Sequence, residues 1–324
     1  MSDFDGDLII IGAGPSGLTA AQYGARANLK VLVIEQFAPG GQALVIDVLE
    51  NYPGNVQRLD EARNVICEAR SGYEFSMDLH RQAESLGASF LSASVISLKK
   101  ENNCFSAELP DGGTCKAPAV IIATGAKPRL LDIPGEKEFS GRGVSYCATC
   151  DGPFYKGKKI FVVGGGDAAC DEARYLSRLT NQVTLIHRRD SFRAQKSLAQ
   201  RTLDNPNIQV RFNTVIKEIK GAQKVRAVIL ADAKSGEVYE EEADAVFIFA
   251  GTVPQSSLVC SGSLKAELDE SGYTITDQKM ATNIEGLFAS GDVRHGAFRQ
   301  VVTAAGDGAV AAHSAAEYID KCNV

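Results

Sequence analysis

Two glycine-rich turns constrain the fold of this chain more than any other feature of its sequence. The first, Gly12–Gly17, follows the apolar run Leu8–Ile11, and the second, Gly164–Ala169, follows the apolar run Ile160–Val163. Both have the spacing G-x-G-x-x-G/A. In this motif the first glycine permits a tight turn, the second lets the backbone approach a pyrophosphate, and the third small residue lets helix and strand pack closely. The sequence therefore predicts two βαβ units that each bind a dinucleotide.

An acidic residue characterises the first of these units. Its next apolar strand ends at Glu35, about 20 residues beyond the turn, where an acid is expected to accept a hydrogen bond from a ribose hydroxyl. The helix after the turn directs its first N–H groups and the positive end of its dipole at the phosphates. We therefore assign this unit to the ADP half of FAD. The predicted contacts are Gly12, Gly14, Pro15, Ser16, Gly17 and Glu35.

Basic residues stand at the corresponding place in the second unit. The strand 182–186 ends in a histidine and two arginines, and Arg193 follows shortly after. Guanidinium groups bind a 2′-phosphate through charge-assisted hydrogen bonds, whereas an acid would repel it. The pattern favours NADPH over NADH, and the alternative is that the arginines form an ordinary solvated face. The predicted contacts are Gly164, Gly166, Asp167, Ala168, Ala169, His187, Arg188, Arg189 and Arg193.

A pair of cysteines lies between the two turns. Of the 8 cysteines in the chain, only Cys147 and Cys150 have the C-x-x-C spacing, which suits either a small reversible disulfide or a zinc site. Zinc requires four ligands, and no second close pair of Cys or His residues supplies the other two, so we expect no metal. Two dinucleotide sites that flank a dithiol indicate electron transfer from a nicotinamide through a flavin to a disulfide.

The sequence predicts an α/β fold with two Rossmann-like dinucleotide-binding domains, of which the NADPH domain is inserted in the FAD domain. The FAD domain comprises residues 1–126 and 255–324, and the NADPH domain comprises residues 127–254 and carries the dithiol. Length supports two domains, because the usual prior is about 150 residues for each. The segments Lys127-Pro128 and Val253-Pro254 are the expected hinges.

Two segments near the C-terminus complete the predicted FAD domain. The apolar stretch 286–293 is expected to form a buried strand that delivers the carboxyl group of Asp292 to the cofactor. Residues 300–318 are rich in Ala and Gly and have helical spacing. The N-terminus of that helix, if it faces the flavin, would stabilise the negative charge of the reduced ring. The alternative is an ordinary alanine-rich packing helix.

Composition excludes several other classes of protein. The net charge of −6 argues against a nucleic-acid binder, which needs a basic face to neutralise phosphates. No apolar run approaches the ~18 residues of a membrane span. The acidic N-terminal segment has neither the basic start nor the separate apolar run of a signal peptide. We therefore expect a cytoplasmic protein, in which most cysteines are reduced.

The motifs resemble those of the low-molecular-weight thioredoxin reductases over nearly the whole chain, and their order and spacing together are specific. The matching segments are Gly12–Gly17, Pro39–Gln42, Glu50–Gly54, Cys147–Gly152, Gly164–Ala169, His187–Arg189 with Arg193, Gly291–Val293 and Arg299–Gly306. The resemblance implies a homodimer that binds FAD and NADPH and reduces the disulfide of thioredoxin. It adds FAD contacts at Gly41, Gln42, Asn51, Asp292, Arg299, Gln300 and Val301, and we also assign Val95, Thr124 and Gly125 to this site.

The resemblance also implies separate roles for the residues of the C-x-x-C segment. Cys150 lies nearer the flavin, and Cys147 attacks the disulfide of the partner protein. Asp151 donates and accepts the proton of the departing thiolate, although it could instead simply begin a turn with Gly152 and Pro153. Because nicotinamide and disulfide must both reach the flavin, the inserted domain is expected to rotate between two positions.

Four other functions remain open on the sequence alone. A flavoprotein partner of a peroxide-reducing system usually carries additional N-terminal thioredoxin-like domains. NAD(P)H oxidases and ferredoxin–NADP reductases of similar fold do not require the C-x-x-C pair. A dithiol oxidase that uses oxygen would not need the second nucleotide site and its arginines. A redox-sensing scaffold that binds FAD would bind NADPH poorly.

Overall fold

The computed structural model describes residues 4–46, 49, 51–55, 58–59, 65–67, 70–260 and 264–322. The chain forms two compact units. The discontinuous unit consists of Met1–Lys127 and Val253–Val324, and the inserted unit consists of Pro128–Thr252. These boundaries lie within two residues of those expected from sequence. Which cofactor each domain binds stays a prediction.

Strands and helices follow one another along both units. The first part of the discontinuous unit contains β1 (Phe4–Asp5), β2 (Leu8–Ile11), α1 (Pro15–Arg26), β3 (Val31–Glu35), β4 (Arg58–Leu59), β5 (Val65–Cys67), α2 (Gly72–Ser85), β6 (Ser89–Ser92), β7 (Ser97–Glu101), β8 (Cys104–Glu108), β9 (Thr114–Ala117), β10 (Ala119–Ile122) and β11 (Ala126–Pro128). The inserted unit continues with β12 (Val144–Ser145), α3 (Ala148–Asp151), β13 (Ile160–Gly164), α4 (Asp167–Leu176), β14 (Val183–Ile186), α5 (Lys196–Leu203), β15 (Ile208–Arg211), β16 (Thr214–Gly221), β17 (Val225–Asp232), β18 (Val238–Glu242) and β19 (Ala245–Phe249). The chain ends with β20 (Thr252–Pro254), α6 (Ser257–Cys260), β21 (Leu287–Ala289) and α7 (Val301–Cys322).

The central sheet of the discontinuous unit is parallel, with the strand order β21-β10-β2-β3-β6. Its central strands β2 and β10 are continuous apolar runs that are wholly buried, as expected for a parallel sheet covered on both faces. The last residue of β2, Ile11, pairs with Ile122 on one side and Ile34 on the other, so the strands end together at one edge. Ligands of open α/β sheets bind outside this edge.

A second, four-stranded sheet and the helices α1, α2, α6 and α7 also belong to this unit. The sheet has the order β1-β9-β8-β7 and is antiparallel except at β1. Helix α7 confirms the helix expected for residues 300–318, and it packs closely on α1. A Cβ added at Gly308 would lie 2.1 Å from the carbonyl oxygen of Ser16, so only glycine permits this approach. The hydroxyl of Ser16 is buried and donates to Ser290 Oγ at 2.7 Å.

The inserted unit repeats the same plan. Its parallel sheet has the order β12-β19-β13-β14-β15, and a three-stranded antiparallel sheet, β16-β17-β18, accompanies it. Strands β13 and β14 pair from Ile160 with Val183 to Val163 with Ile186. The predicted α/β class with two glycine-turn βαβ units is therefore confirmed.

The chain passes between the two units twice, and both connecting segments, β11 and β20, are strands. β11 and β20 form a two-stranded sheet of their own. Within the discontinuous unit Gln255 N donates to Gly125 O at 2.9 Å, and within the inserted unit Arg129 N donates to Gly251 O at 2.9 Å. Separately, none of the helices in the described part of the chain has the length and apolar character that crossing a membrane requires.

Candidate active site

The first glycine turn shows why each of its glycines is needed. Gly12 has a φ of 103°, and a Cβ there would lie 2.5 Å from the carbonyl oxygen of Ala123 at the end of β10. A Cβ on Gly17 would lie 1.9 Å from the oxygen of Gly12. Gly14, in contrast, has nothing within 4 Å of a hypothetical Cβ. Gly12 and Gly17 therefore close the turn, and Gly14 leaves open the space that a pyrophosphate would need.

The carboxylate of Glu35 is fixed by backbone donors at the end of β3. Its Oε2 accepts from Ala13 N at 2.7 Å, and its Oε1 accepts from Phe37 N at 3.0 Å. Each carboxylate oxygen has a second lone pair, so the group can still accept from a ribose hydroxyl. The half-buried Val95 follows β6, whose last residue pairs with Glu35. The predicted adenosine contacts thus lie on neighbouring strand ends.

Amide side chains predicted to bind the flavin lie in two hydrogen-bonded groups. Asn51 Nδ2 donates to Gln300 Oε1 at 3.0 Å, which joins the loop before α2 to the start of α7. Gln42 donates through its Nε2 to the carbonyl oxygen of Ala126. Gln42 follows Gly41, which begins a 3-10 turn and has a φ of 55°. These bonds join residues that are distant in sequence.

The end of β10 contributes the Thr-Gly pair that sequence assigned to the cofactor site. Thr124 Oγ1 donates to Gln255 O at 2.6 Å, so the threonine is anchored where the chain returns to the discontinuous unit. Gly125 has a φ of 70°, and nothing lies within 4 Å of a Cβ there. The backbone at Gly125 is therefore open to close approach.

The carboxyl group of Asp292 lies in a 3-10 turn directly after β21. Burial raises its pKa to about 6, the Arg299 guanidinium opposes the shift, and Asp307 adds to it. The turn is held by Asp307 of α7, which accepts from Gly291 N at 3.2 Å and from Arg294 Nε at 2.6 Å. Arg299 has a φ of 54°, and its guanidinium lies 4.6 Å from the ring centroid of Tyr273. Val301 begins α7 beside it.

The second glycine turn has the same geometry with one difference. Gly164 has a φ of 156°, and a Cβ there would lie 2.5 Å from Ala169 Cβ and 2.7 Å from Phe249 O. Gly166 again has nothing within 4 Å. The third position is Ala169, which is fully buried in α4, so this turn accommodates a methyl group that the first turn does not. Asp167 Oδ1 accepts from Gln195 N at 2.7 Å and ties α4 to the following loop.

The three arginines beside the second glycine turn are exposed. Arg188, Arg189 and Arg193 have no carboxylate within ion-pair distance among the described residues. The backbone of Arg193 is fixed, because its N–H donates to Gly165 O at 2.7 Å. Three positive charges therefore stand beside the turn without an internal counter-ion.

His187 behaves differently from the arginines that follow it. Only 6% of its surface is exposed, and its Nε2 has no hydrogen-bond partner among the described residues. Burial lowers its pKa first, and the charges of Arg193, Arg189 and Arg188 lower it further. Its ring lies against Gly165, where an added Cβ would come within 2.2 Å of the ring. The neutral imidazole of His187 thus packs against Gly165 and supports the second glycine turn.

The dithiol is present as a closed disulfide in the inserted unit. Cys147 and Cys150 are bonded, with their Cα atoms 5.3 Å apart. Cys147 is the N-cap of the short helix α3, and its sulfur accepts from Cys150 N at 3.2 Å. That N–H points at the Cys147 sulfur, and a backbone donor in this position would stabilise a thiolate there.

The carboxylate of Asp151 at the end of α3 contacts Ser145 of β12, the strand that precedes the cysteines. Ser145 Oγ donates to Asp151 Oδ2 at 2.5 Å and accepts from Cys147 N at 3.1 Å, while the Cys147 carbonyl lies 3.2 Å away. Ser145 is buried, with 5% of its surface exposed. Nearby, burial raises the pKa of Tyr155 first, and the charges of Asp151 and Asp244 raise it further.

Comparison with known proteins identifies the family. The profile of the family described as "Pyridine nucleotide-disulphide oxidoreductase" matches residues 6–308. A thioredoxin reductase of Treponema pallidum (strain Nichols) is 52% identical over 317 residues and covers 98% of each chain. One from Bacillus subtilis (strain 168) is 43% identical over 318 residues, which cover 97% of this chain and 95% of that protein. The crystal structure of thioredoxin reductase from Streptococcus pyogenes MGAS5005 is 40% identical, with a TM-score of 0.87 over 98% of this chain and 99% of that chain.

The chain belongs to the pyridine nucleotide-disulphide oxidoreductases. Within that family it groups with the low-molecular-weight thioredoxin reductases, as the motifs predicted. Membership of the family implies a flavin and a pyridine nucleotide as cofactors. The residues of this reductase fit both groups. Gly14 and Gly166 each leave a cradle that a Cβ would fill, and unpaired arginines stand beside the second turn.

Sequence reasoning missed three residues that support the sites of this reductase. Arg294 and Asp307 form a partly buried ion pair behind the turn that carries Asp292. Ser145 joins Asp151 to the backbone of the dithiol segment. One signal was available for Asp307, which is an acidic residue between two glycines of an apolar helix. No pattern in the sequence distinguishes Ser145 from the other serines.

Proposed function

We propose that this chain is an NADPH-dependent thioredoxin-disulfide reductase that contains FAD. The observation that carries the proposal is the closed Cys147–Cys150 disulfide in the same unit as the arginine-flanked glycine turn. A dithiol oxidase would not need those arginines, and an oxidase of the same fold would not need the disulfide. The thioredoxin reductases at 52% and 43% identity also support it.

The two cofactors are assigned by the groups that would contact them. FAD is supported by the first turn with Glu35, by Asp292 in the turn after β21, and by Gln300, which is hydrogen-bonded to Asn51. NADPH rather than NADH is supported by Arg188 and Arg189, whose charges match a 2′-phosphate. When bound, a flavin supplies two-electron transfer between the nicotinamide and the disulfide.

The cysteines perform the exchange with the partner protein. Opening of the Cys147–Cys150 bond takes two electrons and one proton and leaves one thiol and one thiolate. The Cys147 thiolate attacks the partner's disulfide and expels a partner thiolate, which takes up a proton. The Cys150 thiol then gives its proton to Asp151 and attacks Cys147, which restores the internal disulfide and expels the second partner thiolate. That thiolate takes up the proton from Asp151. Asp151 is the proposed donor and acceptor of the protons in these steps.

The proposed physiological setting follows from these requirements. The partner is thioredoxin or a similar small disulfide protein, and the reductase acts as a homodimer in the cytoplasm, where NADPH is available and thiols stay reduced. Because the dithiol and the proposed NADPH site share one unit, that unit is proposed to turn about β11 and β20 to bring each to the flavin in succession. A crosslink that locks these strands should stop multiple turnover while one half-reaction continues.

An anaerobic titration tests the proposal. The purified flavoprotein should lose its yellow colour on addition of NADPH and respond far more weakly to NADH. Oxidised thioredoxin should then restore the colour. Replacing the attacking thiol, Cys147→Ser, should abolish thioredoxin reduction and leave bleaching by NADPH intact.

Cys170→Ser is the matched control, because Cys170 is a buried cysteine of the same unit outside the C-x-x-C pair. It should behave as the parent does. The proposal is wrong if Cys147→Ser reduces thioredoxin at the parent's rate, or if NADPH fails to bleach the parent flavin.

A further inference from the structure

The buried hydroxyl of Ser145 occupies an unusual position between the proposed proton carrier and the dithiol. It donates to Asp151 Oδ2 at 2.5 Å, and its oxygen accepts from the N–H of Cys147 at 3.1 Å. One side chain thus fixes both the carboxylate and the backbone of the attacking cysteine. Strand β12, which carries Ser145, pairs with β19 in the parallel sheet and is buried.

We propose that Ser145 is a positioning residue of the disulfide exchange, which acts by holding the carboxylate of Asp151 ionised and directed at the dithiol segment. The inference rests on the proposed function. A hydroxyl that donates to a carboxylate favours its charged form, and a carboxylate must be charged to accept the proton of an attacking thiol. Without the hydroxyl the carboxylate takes up a proton more readily and loses its fixed orientation.

Protons are conserved through the exchange. The carboxylate accepts the proton of the Cys150 thiol as that sulfur attacks Cys147 in the mixed disulfide with the partner. The resulting carboxylic acid gives this proton to the partner thiolate that leaves. Asp151 is ionised again at the end of the step, so Ser145 returns to the same hydrogen bond. No electrons pass through Asp151 or Ser145, because the sulfur–sulfur exchange carries both.

Other titratable groups near Asp151 must be separated from it. Tyr155 feels the charge of Asp151, and the ring of Tyr175 of α4 lies 3.3 Å from a Cβ built on Gly152. The pKa of a phenol is about 10 in model peptides, and that of Tyr155 is raised further, so this group does not affect the acid side of a pH profile. Asp244 also faces Tyr155, and its Oδ2 accepts from a backbone N–H at 3.0 Å.

One carboxyl group on a neighbouring helix titrates near neutrality. Burial raises the pKa of Glu172 of α4 to about 7, and the charge of Asp171 adds to this effect. Helix α4 packs against α3, so Glu172 could produce a limb in the same pH range as Asp151. The variant Glu172→Gln removes this group and identifies any limb that belongs to it.

The experiment follows the rate at which the NADPH-reduced holoenzyme reduces thioredoxin between about pH 3 and pH 9, a range that includes carboxyl and thiol titration. In Ser145→Ala the acid limb should move upward by about one pH unit, since hydrogen bonds to charged groups are among the stronger ones. At neutral pH the carboxylate remains ionised, and there the rate should fall about tenfold because the carboxylate has lost its fixed orientation. Bleaching of the flavin by NADPH should be unchanged.

Two comparisons exclude a merely structural effect. Ser145→Thr retains a hydroxyl and Ser145→Val has the same shape without it, so the parent profile should return only in the threonine variant. This pair remains decisive if Ser145→Ala does not fold. In an Asp151→Asn background, Ser145→Ala should cause little further loss, because the hydroxyl acts through the carboxylate.

Ser177→Ala is the matched control. Ser177 is also 5% exposed in the inserted unit, and its hydroxyl donates to Arg174 O at 2.8 Å, away from the dithiol. It should keep the parent profile. A valine variant with the parent profile would overturn the role of Ser145, as would a full additional loss in the Asp151→Asn background. If the parent itself fails to reduce thioredoxin, the proposed function is wrong instead.

Discussion

The two glycine turns have the same backbone design but different surroundings. The first turn is tied to the protein on several sides, because Glu35 binds Ala13 N and Ser16 binds Ser290. Beside the second turn, Arg188 and Arg189 are exposed, and neither forms an ion pair within the part of the chain that the structure describes. We interpret the first as a site built around a resident cofactor and the second as a site for a coenzyme that leaves after each turnover.

The largest expected effect concerns the third small residue of the motif. Gly17→Ala would place a Cβ 1.9 Å from the oxygen of Gly12, between backbone segments that cannot move apart without opening the turn. We expect a loss of more than about 4 kcal/mol of stability and no retained FAD. Thermal unfolding and the absorption spectrum of the flavin measure both effects.

The second turn provides the control, because Ala169 already carries a methyl group at this position. Ala169→Gly should leave a folded, yellow protein that is less stable by about 1 kcal/mol, the usual cost of glycine in a helix. A Gly17→Ala protein with normal stability and full FAD content would show that the first turn is not as tightly closed as its geometry indicates.

The second prediction concerns the charges beside the second turn. Replacement of Arg188, Arg189 and Arg193 by glutamine should raise the KM for NADPH about a hundredfold or more, since each charge-assisted contact to a phosphate is strong. The KM for NADH should change little, because NADH has no 2′-phosphate. Steady-state kinetics with both coenzymes measures the ratio.

Glu35→Gln is the matching change at the first turn and should weaken FAD binding without altering the NADPH:NADH preference. If the triple variant loses activity with NADPH and with NADH to the same extent, the arginines support the fold of this loop and do not bind the 2′-phosphate.

Local patterns explain which parts of this comparison were predictable. The apolar strands, the glycine spacing and the acid or arginines at each strand end all lie within a short stretch of sequence, and the helix Val301–Cys322 follows its own spacing. The support behind these residues depends on long-range pairing. Asp307 is 16 residues from Gly291, and Ser16 is 274 residues from Ser290.

The sequence motifs also did not predict which way individual side chains point. His187 directly precedes two of the arginines in sequence, and we assigned it to the coenzyme together with them. Its ring is nevertheless buried against Gly165, whereas the arginine side chains are exposed. The side of the backbone on which each residue of a loop falls is determined by packing on the neighbouring helix and sheet. Sequence spacing alone does not specify it.

The third prediction tests whether the first site depends on its supporting ion pair. Asp307 and Arg294 have side-chain exposures of 12% and 20%, so removal of one partner leaves a poorly solvated charge. We expect Asp307→Asn to cost about 2 kcal/mol, less than for a fully buried pair, and to weaken FAD binding because the turn of Gly291 loses its anchor. Equilibrium titration of the apoprotein with FAD measures the affinity.

Glu317→Gln is the control on the same helix. Its ion pair with Lys279 is exposed on both sides, and we expect its removal to cause little measurable change in stability. Equal FAD affinity in the Asp307 and Glu317 variants would show that the ion pair does not position the flavin-binding turn.

The fourth prediction concerns pH and the first site. The pKa of Asp292 is raised from 3.8 to about 6, chiefly by burial, so the unfolded chain ionises at a lower pH than the apoprotein does. Its contribution to stability is complete below its unfolded pKa of 3.8 and is lost as pH rises to about 6, by about 3 kcal/mol in all. The difference in unfolding free energy between the parent and Asp292→Asn apoproteins should show this slope. A difference that is flat with pH would contradict it.

At the second site the same measurement should have the opposite sign. The pKa of His187 is lowered from 6.5, first by burial and then by the three arginines, so the unfolded chain takes up a proton before the folded one. The inserted unit should keep its full stability above pH 6.5 and lose it as pH falls below that value. Native-state hydrogen exchange of the β13 and β14 amides reports this unit separately. In His187→Gln the loss should disappear, whereas the exposed His313 should have no influence when replaced in the same way. Protection of these amides that fell equally in parent and His187→Gln would mean that another group titrates, and the buried imidazole would then be only a packing element of the turn.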